Sequence, residues 1–235
     1  MVTAGELKAR ARAKLAEKNG WFIAFCANLL SIVIINSVNF EVRGFLGLTS
    51  LMELAQKVRE GSAAPGELAQ MLQHNRLELF VATLIALYLS SVFTFGMSSL
   101  SVAVIRGGAK VGHVFSGFGR SISLLWMLLA MQINVALRLL LFIVPGIRAL
   151  FSYALMYFVR VDHPDWGAKQ CLAESKRLME GNRWRLFCLL LSFLGWFLLG
   201  VVTFGIAFFV VMPYLNVSLA AFYEDLLDHD IKQAE

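Results

Sequence analysis

Residues 137–151 read LRLLLFIVPGIRALF. A Pro-Gly pair stands in the middle of a long apolar run, with Arg138 on one side and Arg148 on the other. Either one helix kinks there or the chain turns and comes back. Length decides. The apolar stretch around the pair covers 121–159. A straight helix of that length would be about 58 Å long at about 1.5 Å per residue, nearly twice the roughly 30 Å hydrocarbon core of a bilayer. Proline lacks an N–H and glycine tolerates turn dihedrals, so Pro145-Gly146 is the expected corner of a hairpin.

The same arithmetic applies along the chain. Near-continuous apolar stretches cover 21–40, 79–105, 121–159 and 186–223. The last is nearly as long as the third and must also fold back, with its corner expected at Val202-Thr203-Phe204-Gly205 and Pro213 left inside a helix. Composition agrees. Of 235 residues, 58% are hydrophobic and 16% charged, and 19 are Phe, against about 45–50% apolar and about 25% charged in a soluble domain. Mean hydropathy is +0.68. The expected fold is all-α: a polytopic membrane helical bundle in one domain, 1–235. It has six transmembrane helices as three hairpins, with spans at 20–40, 79–105, 121–143, 146–160, 185–201 and 206–223.

Charge gives an independent check. With both termini placed in the cytoplasm, the inner segments 1–20, 106–120, 160–185 and 224–235 carry 15 Lys and Arg, against 6 in the outer segments 41–77 and 138–148. That bias is expected of cytoplasmic loops. It also explains the net charge of +5 through membrane borders and anionic headgroups, with no need for nucleic acid. The N-terminal apolar segment is too long, and lacks the A-x-A site, for a cleaved signal peptide. The expected location is a cytoplasmic (inner) membrane, multi-pass.

Each hairpin is preceded by an amphipathic element expected on the cytoplasmic surface. In TAGELKARARAKLAEKNG (3–20), Thr3 and Glu6 form a capping box and Leu7, Ala11 and Leu15 share a face. In KVGHVFSGFGR (110–120), Val111, Val114, Phe115 and Phe118 follow helical spacing. In PDWGAKQCLAESKRLMEGN (164–182), Ala168, Cys171, Leu172, Ser175, Leu178 and Met179 form the stripe. KLAEKNGW (14–21) echoes RLMEGNRW (177–184), which suggests a repeated unit. Outer loop 41–77 carries two short amphipathic helix patterns at SLMELAQKVREG and PGELAQMLQHN.

The chemistry is sparse. Cys26, Cys171 and Cys188 have no disulfide or metal spacing, and the four histidines are scattered. The glycines of RGGAKVGHVFSGFGR fit no phosphate loop. The six expected spans contain no Asp or Glu. A carboxylate inside the membrane marks many proton relays, so this pattern argues against a proton-coupled pump. Expected catalytic, cofactor-binding and metal residues are therefore none, and no cofactor is expected. Asn28, Ser98, Asn134 and Tyr214 are the candidate polar groups between helices or lining a cavity. Arg12, Lys14, Trp21, Phe115, Arg177 and Trp184 are the candidate lipid-interface residues. Glu174 and His163 are the acid/base candidates for a headgroup enzyme.

One block is distinctive: the Ser-x-x-Leu-Met-x-Gly run at 175–181, Leu-Ser-Phe-x-Gly-Trp at 191–196, Thr203 with Gly205, Pro213-Tyr214, and Ala221-Phe222-Tyr223. With LFIVPGI and Asn19-Gly20-Trp21, it resembles a bacterial family catalogued as domain of unknown function 975. The resemblance implies an integral protein of the bacterial cytoplasmic membrane and supplies no catalytic or ligand residues. The expected function is a non-enzymatic module. It would bind the lipid bilayer through anionic headgroups, or another membrane protein whose assembly or export it assists. The alternative is a small transporter or channel for an amphipathic solute.

Overall fold

A computed structural model describes residues 2–17, 20–31, 76–141 and 143–234. Among them the regular structure is helical throughout. The expected helices of outer loop 41–77 lie outside the described residues, apart from Arg76-Leu77. The chain divides into two compact units, Met1–Leu29 with Ser91–Glu235, and Leu30–Ser90.

Helix α1 is Ala4–Ala16, α2 is Gly20–Ser31 and α3 is Arg76–Arg106. Two short 3-10 turns, Val111–Phe115 and Phe118–Arg120, lead into α4, Ser121–Leu141. Then come α5, Ile143–Tyr153, α6, Met156–Asp162, and α7, Ala168–Leu178. The last three are α8, Arg183–Leu191, α9, Leu194–Val202, and α10, Phe208–Ala234.

The chain does turn back near Pro145. The Arg138 guanidinium stands 5.6 Å from the Tyr153 ring, and Arg160 Nη2 donates to Ser123 Oγ at 2.9 Å. In a straight helix those pairs would be about 22 Å and 55 Å apart. The corner itself needs correction. Pro145 and Gly146 lie inside the first turn of α5, which starts at Ile143. A missing N–H costs nothing in a first turn, where the donors have no intrahelical acceptor, and the fixed φ suits the helix.

The second expected corner is found in place. Phe204 and Gly205 both have positive φ, 50° and 93°, between the end of α9 and the start of α10. Gly200 lets the legs close: a Cβ there would lie 2.6 Å from the Phe208 ring. Pro213 lies inside α10.

Other boundaries differ from the expected spans. The segment 146–160 is broken between Tyr153 and Met156, and 185–201 is broken at Ser192-Phe193. By length and composition two stretches can cross a membrane, Leu84–Arg106, mostly buried, and Arg183–Val202, mostly facing outward. Gly20–Ser31 and Ile122–Arg138 are apolar but shorter. Six crossings do not follow from these helices.

Candidate functional site

One well-packed part of the described residues is the seat of α1. Its N-terminus carries the expected capping box: Thr3 N donates to Glu6 Oε2 at 2.7 Å and Glu6 N to Thr3 Oγ1 at 3.4 Å. The Thr3 backbone N–H and then its hydroxyl, both donating to Glu6 Oε2, hold the Glu6 carboxyl below its ordinary pKa. Leu7, Ala11 and Leu15 are buried, so the apolar face predicted for a membrane surface is spent on protein, mainly α10.

Polar contacts lock this seat. Tyr214 OH donates to the Lys8 carbonyl at 3.1 Å. The Tyr214 ring lies 5.9 Å from the Trp21 ring and 5.9 Å from the Arg12 guanidinium. Lys8 Nζ donates to the Ser192 carbonyl at 3.0 Å and stands 4.7 Å from the Phe193 ring. Ser192 is the C-cap of α8, where a cation meets the negative end of the helix dipole. Burial, then the nearby Arg12 charge, lowers the Lys8 pKa. Arg185 bonds the Val2 carbonyl at 2.9 Å and Asp225 Oδ2 at 2.6 Å.

A second feature is a layer of ion pairs. Arg106 forks onto Asp162 at 2.7 and 2.9 Å and reaches Glu224 at 2.8 Å, while Tyr223 OH donates to Asp162 at 2.9 Å. Arg177 bonds Glu174 and Asp230, both as close as 2.7 Å. Hydrogen bonding to Asp162 raises the Arg106 pKa, and bonding to Asp230 and then Glu174 raises that of Arg177. A cleft of about 310 Å³ opens beside Arg177, His229 and Asp230. Arg160 is 5% exposed, with its Nε left without a partner.

Close backbone approach builds the third feature. The segment 111–118 packs on α3 so closely that a Cβ on Gly96 would meet the Val114 carbonyl, and one on Gly117 would lie 2.7 Å from the Val92 carbonyl. Phe93 stands edge-on to Phe115 and Phe118, at 6.5 and 6.0 Å. Val111, Phe115 and Phe118 remain exposed beyond that contact.

Of the candidate residues, Arg12, Trp21 and Tyr214 are brought together. The others are not. Ser98 Oγ donates to the Thr94 carbonyl at 3.0 Å, and Asn134 Nδ2 to the Ala130 carbonyl at 2.7 Å, each one turn back on its own helix. Asn28 is buried with Nδ2 unpaired. Lys14 pairs with Glu17 at 3.2 Å. Trp184 is exposed and stacks on Phe187 at 5.1 Å. The acid/base candidates stay apart: the Glu174 carboxylate is taken by Arg177, and His163 stacks on Trp166 at 3.8 Å. Among the described residues, no group of three His, Cys, Asp or Glu could hold a metal ion.

Sequence reasoning missed Lys8, Arg185, Asp225 and the Arg106–Asp162–Glu224 cluster. Their charges are visible in the sequence, but their partners are 40 to 184 residues away.

Residues 1–230 match the family described as "Protein of unknown function (DUF975)". The chain belongs to that family. No curated protein and no solved structure matches it. Membership thus covers α1 through nearly all of α10 and brings no assigned activity to either the α1 seat or the ion-pair layer.

Proposed function

We propose that this DUF975 member is an integral membrane protein that works by binding, holding anionic lipid and a membrane partner without catalysing a reaction. One observation carries the reading: the outward face of α9 and its corner. Leu194, Leu198, Leu199, Val201, Val202, Phe204 and Ile206 are all exposed along it. Leaving such side chains in water forgoes about 1.5–3 kcal/mol each, and a continuous apolar surface of this kind marks a membrane or protein contact. Beside it α1 turns Arg10 and Arg12 outward. Each basic residue near an anionic leaflet contributes about 1 kcal/mol.

The finer topology belongs to the same proposal. The protein sits in a bacterial cytoplasmic membrane with both termini inside. Spans 20–40 and 79–105 form the first hairpin and 121–143 and 146–160 the second. The third, 185–201 with 206–223, enters the bilayer under α1. The transporter reading has less behind it, because Ser98, Asn134 and Tyr214 spend their polar atoms on backbone carbonyls.

Alkaline carbonate extraction followed by native mass spectrometry tests the proposal. The protein should stay in the membrane pellet and, released gently, carry a discrete added mass of lipid or protein. Release by carbonate, or a bare chain in every preparation, would overturn it.

A further inference from the structure

We propose that the hairpin 193–213 is re-entrant: it enters the cytoplasmic leaflet, packs its outer face against the acyl chains of that leaflet, and returns without crossing. This deepens the membrane reading above and rests on it. It keeps the membrane location and replaces the last two crossings of the six-span arrangement, in which the same hairpin crosses.

Helix α1 serves as the depth gauge. Arg10 and Arg12 face outward from it, and cations directed into hydrocarbon are avoided in membrane proteins. Helix α1 therefore lies at the headgroup level, where Trp21 also belongs as an amphipathic aromatic. It touches the hairpin at Ser192 and Phe193 on one leg and Tyr214 on the other. Those residues are thus the feet of the hairpin, level with the headgroups.

From the feet to the corner is a short way. Leu194–Val202 makes one leg and Phe208 to Tyr214 the other. At about 1.5 Å per residue either leg, with its turn residues, reaches roughly 15 Å, half of the roughly 30 Å core. Helix α2 descends beside it, with Trp21 against Tyr214 at 5.9 Å and Phe25 against Phe209 at 6.4 Å.

The corner is equipped for hydrocarbon. No charged residue occurs between Phe193 and Tyr223, and Phe204 at the tip is 97% exposed. Its polar groups are turned inward: Gly205 N donates to the Gly200 carbonyl at 2.8 Å, Thr203 Oγ1 to the Leu199 carbonyl at 2.8 Å, and Ala207 N to Thr203 Oγ1 at 3.1 Å. Backbone inside a bilayer must be satisfied in this way. The α4–α5 corner is of the other kind, with Arg138 and Arg148 beside it, and suits an interface.

Further along α10, away from the hairpin, the chain is ionic. Arg185 pairs with Asp225, and Arg106 with Asp162 and Glu224. Asp225 stands roughly 16 Å along α10 from Tyr214 at about 1.5 Å per residue, so this layer lies in the cytoplasm. If the hairpin crossed, that layer would mark the interface and the cations of α1 would sit at mid-bilayer.

The test is cysteine accessibility in the full chain, with Cys26, Cys171 and Cys188 replaced by alanine and Phe204→Cys or Gly108→Cys added. Gly108→Cys should react with an impermeant maleimide only when the cytoplasmic side is opened. Phe204→Cys should show no labelling above the cysteine-free background from either side. A bimane attached to it should be quenched more by a nitroxide deep in the acyl chain than by one at the headgroup. Labelling of Phe204→Cys from outside intact cells would overturn the re-entrant hairpin and leave the membrane reading standing. Labelling in a carbonate-released fraction would overturn both. If the cysteine-free chain does not accumulate, Phe204→Cys in the native three-cysteine chain, compared with the unsubstituted protein, reads the same site with the same outcomes.

Discussion

Gly96→Ala is the most direct test of how the 111–118 segment is held. The added methyl would meet the Val114 carbonyl group, with the carbonyl carbon at 2.7 Å and Cα at 2.9 Å. Those atoms are backbone, so the whole segment must move. Overpacking of this kind costs about 1–3 kcal/mol. The shift also loosens the edge contacts of Phe93 with Phe115 and Phe118, about 0.5–1.5 kcal/mol each if lost. Alanine returns about 1 kcal/mol as the better helix former. The net expectation is a loss of about 2 kcal/mol, or a melting temperature lowered by roughly 4–8 °C for a chain of this size. The assay is thermal unfolding in detergent, followed by near-UV circular dichroism. Gly108→Ala is the control, since nothing lies within 4 Å of its added methyl. If both variants melt with the unsubstituted protein, 111–118 is not seated on α3 and the argument from close approach fails.

Four other outcomes are expected. Tyr214→Phe removes the bond to the Lys8 carbonyl at a cost of about 0.5–1.5 kcal/mol, so trypsin should cut faster at Arg10 and Arg12; an unchanged rate would mean that the ring alone holds α1. Asp225→Asn leaves Arg185 part-buried without its charge partner, their side chains being 10% and 19% exposed, and should destabilise by about 3 kcal/mol, read as a lowered melting temperature. The Asp230 carboxyl is held below its ordinary pKa by hydrogen bonds from Arg177. Its contribution is present above the ordinary carboxylate pKa and lost as pH falls through the lowered one. Asp230→Asn should therefore flatten the acid limb of a stability profile, by less than about 1 kcal/mol at this exposed position. Burial raises the pKa of the Cys171 thiol, against the lesser opposing charge of Arg160. Cys171 should resist alkylation in the folded protein at about pH 8 and react once SDS unfolds it.

Several features of the fold can be read in the chain before any coordinate is known. Apolar length marks helices at 79–105, 121–143 and 185–201, and the structure has helix at Arg76–Arg106, Ser121–Leu141 and, in two pieces, Arg183–Leu191 and Leu194–Val202. The capping box at Thr3 and Glu6 and the buried stripe of α1 are local patterns, and they appear in the structure as written. The corner at Thr203–Gly205 follows from length and a glycine. The corner near Pro145 is off by a few residues because proline fits a helix's first turn as well as a loop, and only the return path tells which. The family block at 175–223 is legible too, and residues 1–230 match that family.

What periodicity and hydropathy determine about this protein is a set of elements: which segments are helical, where they turn, and which faces are apolar. They act through neighbours three or four residues apart, and those are fixed by the order of the chain. They do not say what an apolar face will cover. The face of α1 suits a membrane surface equally well, yet it is seated on protein, held by Tyr214, Ser192 and Arg185 from 183 to 206 residues away. The partners of Arg106, Arg177 and Arg185 are likewise settled only when α6, α7, α8 and α10 come together. A charge can be paired by any carboxylate that reaches it, and reach is a property of the packed chain.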